Sequence, residues 1–274
     1  MGVKIFVVFH KAIDERLIFE PFSKAEIDAL FTLYAVNEKD PLKSVTWITG
    51  QKSAVTTATS HVIFEYHLGW YNRDLQFQGF CETSCYVHIL KNKLYETYDY
   101  IGVTQYDMRW SHPAAATVRH LGIGRRAYGL VCGVLMNERG HYHPLAFATL
   151  RNWDFLLSSY NKFFSTRWDK RVLINKPLTL FQTYILPRDE FVALASWLEV
   201  LCREVYPWAN QPPYETHWGV LGGYTERAES LFVAARLHEG RFRLEHLNLI
   251  HDRSIPISLN VSKDHYGRLR PASS

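Results

Sequence analysis

The feature with the most direct chemical meaning in this sequence is a carboxylate that closely follows a short apolar run. Tyr100-Ile101-Gly102-Val103 is typical of a buried strand, and Thr104-Gln105-Tyr106-Asp107 comes next. Open α/β sheets bind ligands beyond the carboxyl ends of their strands. A carboxylate at that place can hold Mn²⁺ or Mg²⁺, and such a cation stabilises negative charge on a departing phosphate. A solvated Asp that only ends a strand would give the same pattern.

Three further carboxylates are candidates for proton transfer. Asp74 lies with Arg73 in a polar stretch that predicts a turn, where it would accept from a sugar hydroxyl, deprotonate an acceptor or only stabilise the turn. Glu226 and Glu229 stand near the start of a helix for which Thr225 is the expected N-cap. Each is suitably placed for a general base, or is a surface Glu stabilised by the helix dipole. For a general base, Asp74 is the first choice and Glu226 the second.

The elements that must position these residues alternate between strands and helices, which favours one α/β domain. The capping box that begins at Ser23 predicts a helix carrying Ile27, Leu30, Phe31 and Tyr34. The basic, Gly/Ala-rich stretch 111–126 is expected to be a mobile loop. We expect the domain to cover 1–262 and to be followed by a flexible tail at 263–274. The remaining predictions are strands at 5–9, 100–103, 128–136, 180–186 and 244–250, with helices after Gly79, at 151–164, after Pro187 and at 225–238.

Composition narrows the class of protein. The 274 residues carry 31 Lys and Arg against 27 Asp and Glu, and the net charge of +4 is too small and dispersed for a nucleic-acid surface. An apolar share of 47% excludes a disordered chain. Four scattered cysteines do not form a disulfide framework, and no apolar run is long enough to span a membrane. We therefore expect a cytoplasmic protein.

Aromatic residues are unusually frequent, at 15% of the chain. Their rings suit stacking against sugars or bases. Several adjoin the candidate residues: Trp70 and Tyr71 near Asp74, Tyr106 and Trp110 around Asp107, and Trp218 and Tyr224 around a Gly-rich segment.

Five segments occur in an order that resembles one known family. The first three are a strand ending in His-Lys at 5–11, an aromatic-Cys-Glu helix start at 80–86 and the Tyr-Ile-Gly strand at 100–109. The fourth is a strand at 182–185 that precedes Trp-Leu at 197–198. The fifth is Gly-Tyr at 223–224, which precedes a helix containing Leu-Phe. Together they resemble the GT-A-like glycosyltransferase domain of unknown function from surface-polysaccharide clusters and large viruses. The resemblance implies a mixed, mostly parallel central sheet flanked by helices.

The resemblance also implies an activity, which is transfer of a sugar from a nucleotide-diphosphate donor, UDP being the commonest, to a hydroxyl of an oligosaccharide or glycoconjugate. Gln105-Tyr106-Asp107 takes the place of the metal-binding Asp-x-Asp, and His251 is the candidate for a further metal ligand. Where the family has His-Tyr-Arg-Arg, this chain has Gln-Tyr-Asp-Met-Arg, and its acidic helix residue aligns with either Glu226 or Glu229. The implied donor-binding residues are Phe9, His10, Lys11, Arg73, Gln105, Asp107 and Arg109, and the implied acceptor-binding residues are His217, Trp218, Gly222 and Gly223.

Two other activities remain open on the sequence. The aromatic residues and the incomplete Asp-x-Asp also fit a non-catalytic carbohydrate-binding module. A nucleotidyltransferase is less favoured, because no Gly-rich basic loop follows the first strand.

Overall fold

A seven-stranded mixed sheet forms the centre of the computed structural model, which describes residues 2–9, 18–36, 61–77, 80, 82–121, 124–147, 153–207, 220–251, 261–263 and 269–271. Within these residues the strand order is β3-β2-β1-β4-β7-β6-β8. Only β7 runs against the other six, since it pairs antiparallel with both β4 and β6. The strands are β1 Val3–Phe9, β2 Phe31–Ala35, β3 Val62–Phe64, β4 Tyr100–Gln105, β6 Arg126–Val134, β7 Pro177–Pro187 and β8 Arg243–His246.

Two smaller pairs of strands lie outside the central sheet. β5 (Met108–Trp110) pairs antiparallel with β9 (Leu249–His251), and β10 (Val261–Lys263) pairs with β11 (Leu269–Pro271). The second pair falls in and beside the segment expected to be a flexible tail. The domain limits themselves stay a prediction.

Helices cover both faces of the sheet. One apolar cluster packs the helices that begin at Thr83, Trp153, Arg188 and Val220 against side chains such as Val8 and Val103. A second cluster packs the helices that begin at Lys24 and His112 against Ile5 and Val7. Because both faces are buried, the central strands are continuously apolar rather than alternating. The helices are α1 Lys24–Leu30, α2 Arg73–Phe77, α3 Thr83–Lys91, α4 His112–Arg119, α5 Trp153–Phe164, α6 Arg188–Val205 and α7 Val220–His238. The expected α/β class and sheet are thus confirmed.

The helix predicted from Ser23 is confirmed at its start and wrong at its end. Ser23 and Glu26 form the capping box, but α1 stops at Leu30 and the next five residues are β2. All five are buried between β1 and β3. Phe31 and Tyr34 do fit a helical spacing, but burial on both faces of a sheet decides their conformation.

The loop predicted at 111–126 is also wrong over its first half. Ser111 caps α4, its hydroxyl accepting from the Ala114 amide at 3.2 Å. Pro113 lies in the first turn, where its missing N–H costs nothing. The same residues that suggested a mobile loop are therefore a helix start.

None of the helices in the described ranges is both long enough and apolar enough to cross a membrane.

Gly102, at the centre of β4, provides a test of the sheet. A methyl group built there would lie 2.9 Å from Ile5 Cγ1 and 3.1 Å from Ile185 Cγ1. We expect Gly102→Ala to lower the free energy of unfolding by about 1–3 kcal/mol through overpacking, measured by urea denaturation. Gly69→Ala is the matched control, because the nearest atom would be 3.8 Å away. Equal effects of the two changes would contradict the packing of β1, β4 and β7.

Candidate active site

Two residues far apart in the sequence, Asp107 and His251, meet beyond the end of β4. The chain turns at Tyr106 and Asp107 and returns as β5, whose Met108 pairs with His251 of β9. This register brings Asp107 Oδ2 to 3.1 Å from His251 Nε2. The side chains are 20% and 31% exposed, and the second carboxylate oxygen, Oδ1, is buried without a hydrogen-bond partner among the described residues.

This pair suits a divalent cation whose other ligands come from a bound phosphate. No group of three or more His, Cys, Asp or Glu suited to a metal occurs in the described part of the chain. Mg²⁺ and similar ions, however, are commonly held by one or two carboxylates together with substrate phosphates and water. The unpartnered Oδ1 of Asp107 is an oxygen ligand of the required kind. Asp107 and His251 therefore fit such a metal as an incomplete protein site that a ligand would finish.

The end of β1 lies directly beside this pair. Val8 is in register with Gln105, and its carbonyl accepts from the Tyr106 amide at 2.9 Å. Phe9, expected at the donor, is fully buried, and its carbonyl is engaged by the Val36 amide. The geometry therefore gives the Phe9 side chain no route to a ligand. His10 and Lys11 lie outside the described residues.

Strand β7 continues from Pro177 to Pro187, but its regular pairing is interrupted opposite Gln105, and we call this irregularity the break in β7. Phe181 and Gln182 have φ angles of 68° and 45°, a left-handed conformation that costs non-glycine residues about 1–3 kcal/mol each. The Phe181 carbonyl accepts from Gln105 Nε2 at 2.8 Å, and its ring centroid lies 5.0 Å from that of His251. Gln105, expected to contact the donor, therefore holds the break in β7 that supports His251.

Glu226 lies on the other side of the same break. One carboxylate oxygen accepts from the Phe181 amide at 2.5 Å, and the other pairs with Arg227. The Glu226 side chain is 19% exposed. Burial lowers the pKa of Arg227 to about 10, yet that group stays positive at neutral pH beside Glu226. Glu226 thus has partial access to solvent, and Phe181 connects it to His251 of the Asp107–His251 pair.

Glu229 occupies a different environment, one helical turn further along α7. It is fully buried, and one oxygen accepts from Gln182 Nε2 at 3.1 Å. Its other oxygen has no partner within the described ranges. Burial raises the pKa of Glu229 well above its usual range, and the Gln182 hydrogen bond only partly opposes this. The carboxyl is therefore favoured in its neutral, protonated form.

Gln182 and Glu229 belong to a buried polar network that reaches the start of two helices. Gln182 Nε2 lies 2.5 Å from Thr83 Oγ1, and Thr83 Oγ1 lies 2.6 Å from Thr225 Oγ1. Thr225 Oγ1 in turn bonds the carbonyls of Leu221 and Gly222. Thr225 is therefore not the N-cap predicted for the last helix, because α7 already begins at Val220.

The expected acceptor segment is consequently helical where the structure describes it. Gly222 is buried and Gly223 is half-buried, both in the first turns of α7. His217 and Trp218 lie outside the described residues. Whether the two glycines contact an acceptor stays a prediction.

The remaining candidates lie on separate elements. Arg73 and Asp74 are exposed on α2, a short helix where a turn was expected. Arg109, on β5, lies 3.7 Å from Glu20 and is 31% exposed. The contacts described above thus join Asp107, His251, Gln105, Glu226 and Glu229 through the broken part of β7, and leave Asp74 outside that set.

Sequence reasoning missed the two residues at the centre of this set, Phe181 and Gln182. Nothing in their spacing distinguishes them from neighbouring strand residues, and neither is a glycine that would suggest a left-handed backbone. The only available signal was Gln182 itself, the one amide side chain in the predicted strand 180–186.

The fold can now be compared with known structures. The chain aligns with the bifunctional glycosyltransferase WbbM in its apo form over 96% of its own length, with 12% identity and a TM-score of 0.56. The chain therefore shares the fold of the part of WbbM with which it aligns. It covers 48% of the WbbM chain, so it spans about half the length of that protein. An alignment with apo mouse xyloside xylosyltransferase 1 covers 90% of this chain and 85% of that one, with 10% identity and a TM-score of 0.40. No protein-family model and no curated protein matches the sequence.

The protonation state of Glu229 can be tested through the pH dependence of the free energy of unfolding. A carboxyl whose pKa is raised on folding contributes stability below its unfolded pKa, near 4.5, and loses it as the pH rises through the folded value. Glu229→Gln keeps the shape of the neutral acid and cannot ionise. We therefore expect the unfolding free energy of this variant, relative to the parent, to increase steadily as pH rises from about 4.5 to 8. Urea denaturation across that range measures it.

Two further variants complete this test. Glu229→Ala removes the acceptor for Gln182 and should cost about 1–3 kcal/mol near pH 4.5, where the parent carboxyl is neutral in the folded protein. That cost should become smaller as the pH rises, because alanine cannot ionise either. Glu204→Gln, on α6 and 26% exposed, is the control for loss of a carboxylate. A constant difference between Glu229→Gln and the parent at all pH values would contradict the assignment of a neutral acid.

Proposed function

We propose that this protein transfers a sugar from a nucleotide-diphosphate donor, a UDP-sugar being the first candidate, to a hydroxyl of a glycan acceptor. The observation that carries the proposal is the Asp107–His251 pair at the carboxyl end of β4, with its unpartnered buried oxygen. The fold shared with WbbM supports glycosyl transfer in general terms. The donor, the metal and the acceptor are parts of the proposal.

The residues at the end of β4 suit the charge that develops during such a reaction. As the bond between sugar and diphosphate breaks, negative charge accumulates on the departing phosphate. Asp107 and His251 would hold Mn²⁺ or Mg²⁺, which when bound supplies positive charge against that phosphate. Arg109, two residues further along the chain, offers a guanidinium group for the same purpose, in competition with Glu20.

Glu226 is our first candidate for removing the acceptor proton if the reaction inverts the sugar. A general base must be ionised and within reach of the hydroxyl. Glu226 is partly exposed and contacts the backbone of Phe181, whose ring packs against His251. Glu229 is buried and favoured as a neutral acid, and Asp74 lies on α2, so both rank behind Glu226.

Nucleotide binding gives the first test. We expect UDP with Mn²⁺ to raise the unfolding temperature of the protein, because a ligand that binds only the folded state stabilises it. Asp107→Asn and His251→Ala should each reduce the metal-dependent part of this shift. Asp154→Asn, an exposed Asp on α5, is the matched control and should behave like the parent. Thermal-shift assays with UDP, GDP and their sugars, with and without Mn²⁺, measure these effects.

The other possible outcomes separate the alternatives. Stabilisation by oligosaccharides without any nucleotide effect would indicate a carbohydrate-binding module. A larger shift with nucleoside triphosphates than with nucleotide sugars would indicate a nucleotidyltransferase. A full nucleotide and Mn²⁺ effect in Asp107→Asn would contradict the assigned metal ligand.

Once a donor is identified, the base can be tested by kinetics. Glu226→Gln should lower kcat by about 10²–10⁴ with little change in the donor KM, because the base acts on the acceptor proton. Asp74→Asn serves as the comparison and should act mainly on the acceptor KM. If Asp74→Asn lowers kcat as strongly while Glu226→Gln does not, the two roles are exchanged.

A further inference from the structure

An exposed tryptophan is held in a fixed place by the end of α3. The Trp70 amide donates to Asn92 Oδ1 at 2.9 Å, and Asn92 Nδ2 donates to the Trp70 carbonyl at 2.8 Å. The Trp70 side chain is nevertheless 37% exposed. Trp110, Trp153 and Trp197, by contrast, are each at most 2% exposed. A large aromatic ring is thus held in one place at the protein surface.

A buried hydrogen-bond network fixes the residues on both sides of Trp70. Glu65 and His88 are fully buried, with Glu65 Oε1 at 2.8 Å from His88 Nδ1. His88 Nε2 lies 2.9 Å from the Asn72 amide nitrogen and must accept its proton, so the ring proton resides on Nδ1 and points at Glu65. Ser84 donates to the same Glu65 oxygen at 3.1 Å.

These contacts come from one face of α3. Ser84, His88 and Asn92 follow each other at four-residue intervals, which places them on one side of the helix and its C-cap. They bind Glu65, Asn72 and Trp70 in turn. A fully satisfied buried polar network selects one conformation. Here the selected conformation is that of a surface segment, which we call the 69–74 platform, from Gly69 to Asp74.

The platform has the chemistry of a sugar site. The face of an aromatic ring carries negative charge, and the C–H bonds of a pyranose carry the complementary positive charge. The Trp70 ring is supported by the buried His88 ring, with 5.3 Å between the ring centroids. Lys91 Nζ lies over the Trp70 ring, 5.4 Å from its centroid, and forms an ion pair with Glu199 at 2.9 Å. Asp74 is exposed at the other end of the platform. A ring to stack on, an ammonium donor and a carboxylate acceptor together suit a polyhydroxylated ligand.

We propose that the 69–74 platform is a subsite for the acceptor glycan, with Trp70 stacking on a sugar unit away from the reacting one. The inference rests on the proposed function for the identity of that glycan as acceptor. Thr83, at the first turn of α3, belongs to the network beside Glu226, whereas Trp70 lies at the far end of the same helix. At about 1.5 Å of rise per residue the two ends are roughly 13 Å apart. A ligand that spans a distance of this order is an oligosaccharide rather than a single sugar.

Fluorine NMR on protein labelled with 5-fluorotryptophan tests the subsite without knowledge of the donor. The Trp70 resonance is assigned from its loss in Trp70→Phe. The probes are maltotriose, cellotriose, chitotriose and mannotriose, together with their monosaccharides. We expect at least one trisaccharide to shift the Trp70 resonance saturably, more strongly than its monosaccharide, while the buried Trp197 resonance stays unchanged. No saturable shift with any of the four trisaccharides would overturn the proposal.

Variants then test the two parts of the platform by calorimetric titration with the active trisaccharide. Trp70→Ala should weaken binding by roughly threefold to tenfold. Asn92→Ala leaves the ring and removes its clamp, and should weaken binding as well. Tyr206→Ala, which removes another exposed aromatic ring at 39% exposure, is the matched control and should bind normally. Unchanged binding in Trp70→Ala, or equal losses in Trp70→Ala and Tyr206→Ala, would overturn the subsite.

The nucleotide thermal shift on the same samples separates this inference from the proposed function. Trp70→Ala should retain the full shift with UDP and Mn²⁺. Trisaccharide binding without any nucleotide effect would leave the platform intact and remove glycosyl transfer. A nucleotide effect without trisaccharide binding would overturn the platform as a sugar subsite and leave the proposed glycosyl transfer intact.

Discussion

The break in β7 is the constraint on which the candidate site depends. A regular strand would place Phe181 and Gln182 on opposite faces of the sheet and pair both with β4. Their left-handed backbone instead lets the Phe181 amide bind Glu226 and its carbonyl bind Gln105. The same turn of the chain sets the Phe181 ring against His251. One strained dipeptide thus connects the central sheet, α7 and the candidate metal ligands.

A buried network of hydrogen bonds holds the Gln182 side chain at this break. Its amide has two protons, which Thr83 Oγ1 and Glu229 Oε1 accept at the shorter distances. The Thr83 hydroxyl proton then goes to Thr225, and that of Thr225 to the first turn of α7. No proton in this series of hydrogen bonds is left for Glu229 Oε2, so an ionised carboxylate there would be an uncompensated buried charge. Protonation of Glu229 removes that cost.

The sequence predicted local features well and long-range ones poorly. The strand before Asp107, the capping box at Ser23 and the α/β class could be predicted because each depends on a pattern within a few residues. The approach of His251 to Asp107 was expected only from the family resemblance, because it depends on the pairing of β5 with β9 across 144 residues. The β2 segment was wrongly predicted as helix from the spacing of Phe31 and Tyr34. It is a strand because burial between two neighbouring strands outweighs that spacing. The aromatic residues near Asp107 were expected to face sugars, but Trp110 packs against Phe22 and Phe31 in the core.

Helix α3 links the two regions that the polar networks hold in place. Its first residue, Thr83, contacts the network at the break in β7, and its last turn and cap hold Trp70. Polar residues occupy buried positions along the helix at Thr83, Ser84 and His88, where apolar side chains would give a simpler core. Replacing a satisfied buried polar group by an apolar one of similar shape is often nearly neutral for stability. Stability alone therefore does not account for these polar residues, which connect the candidate site to the position of Trp70.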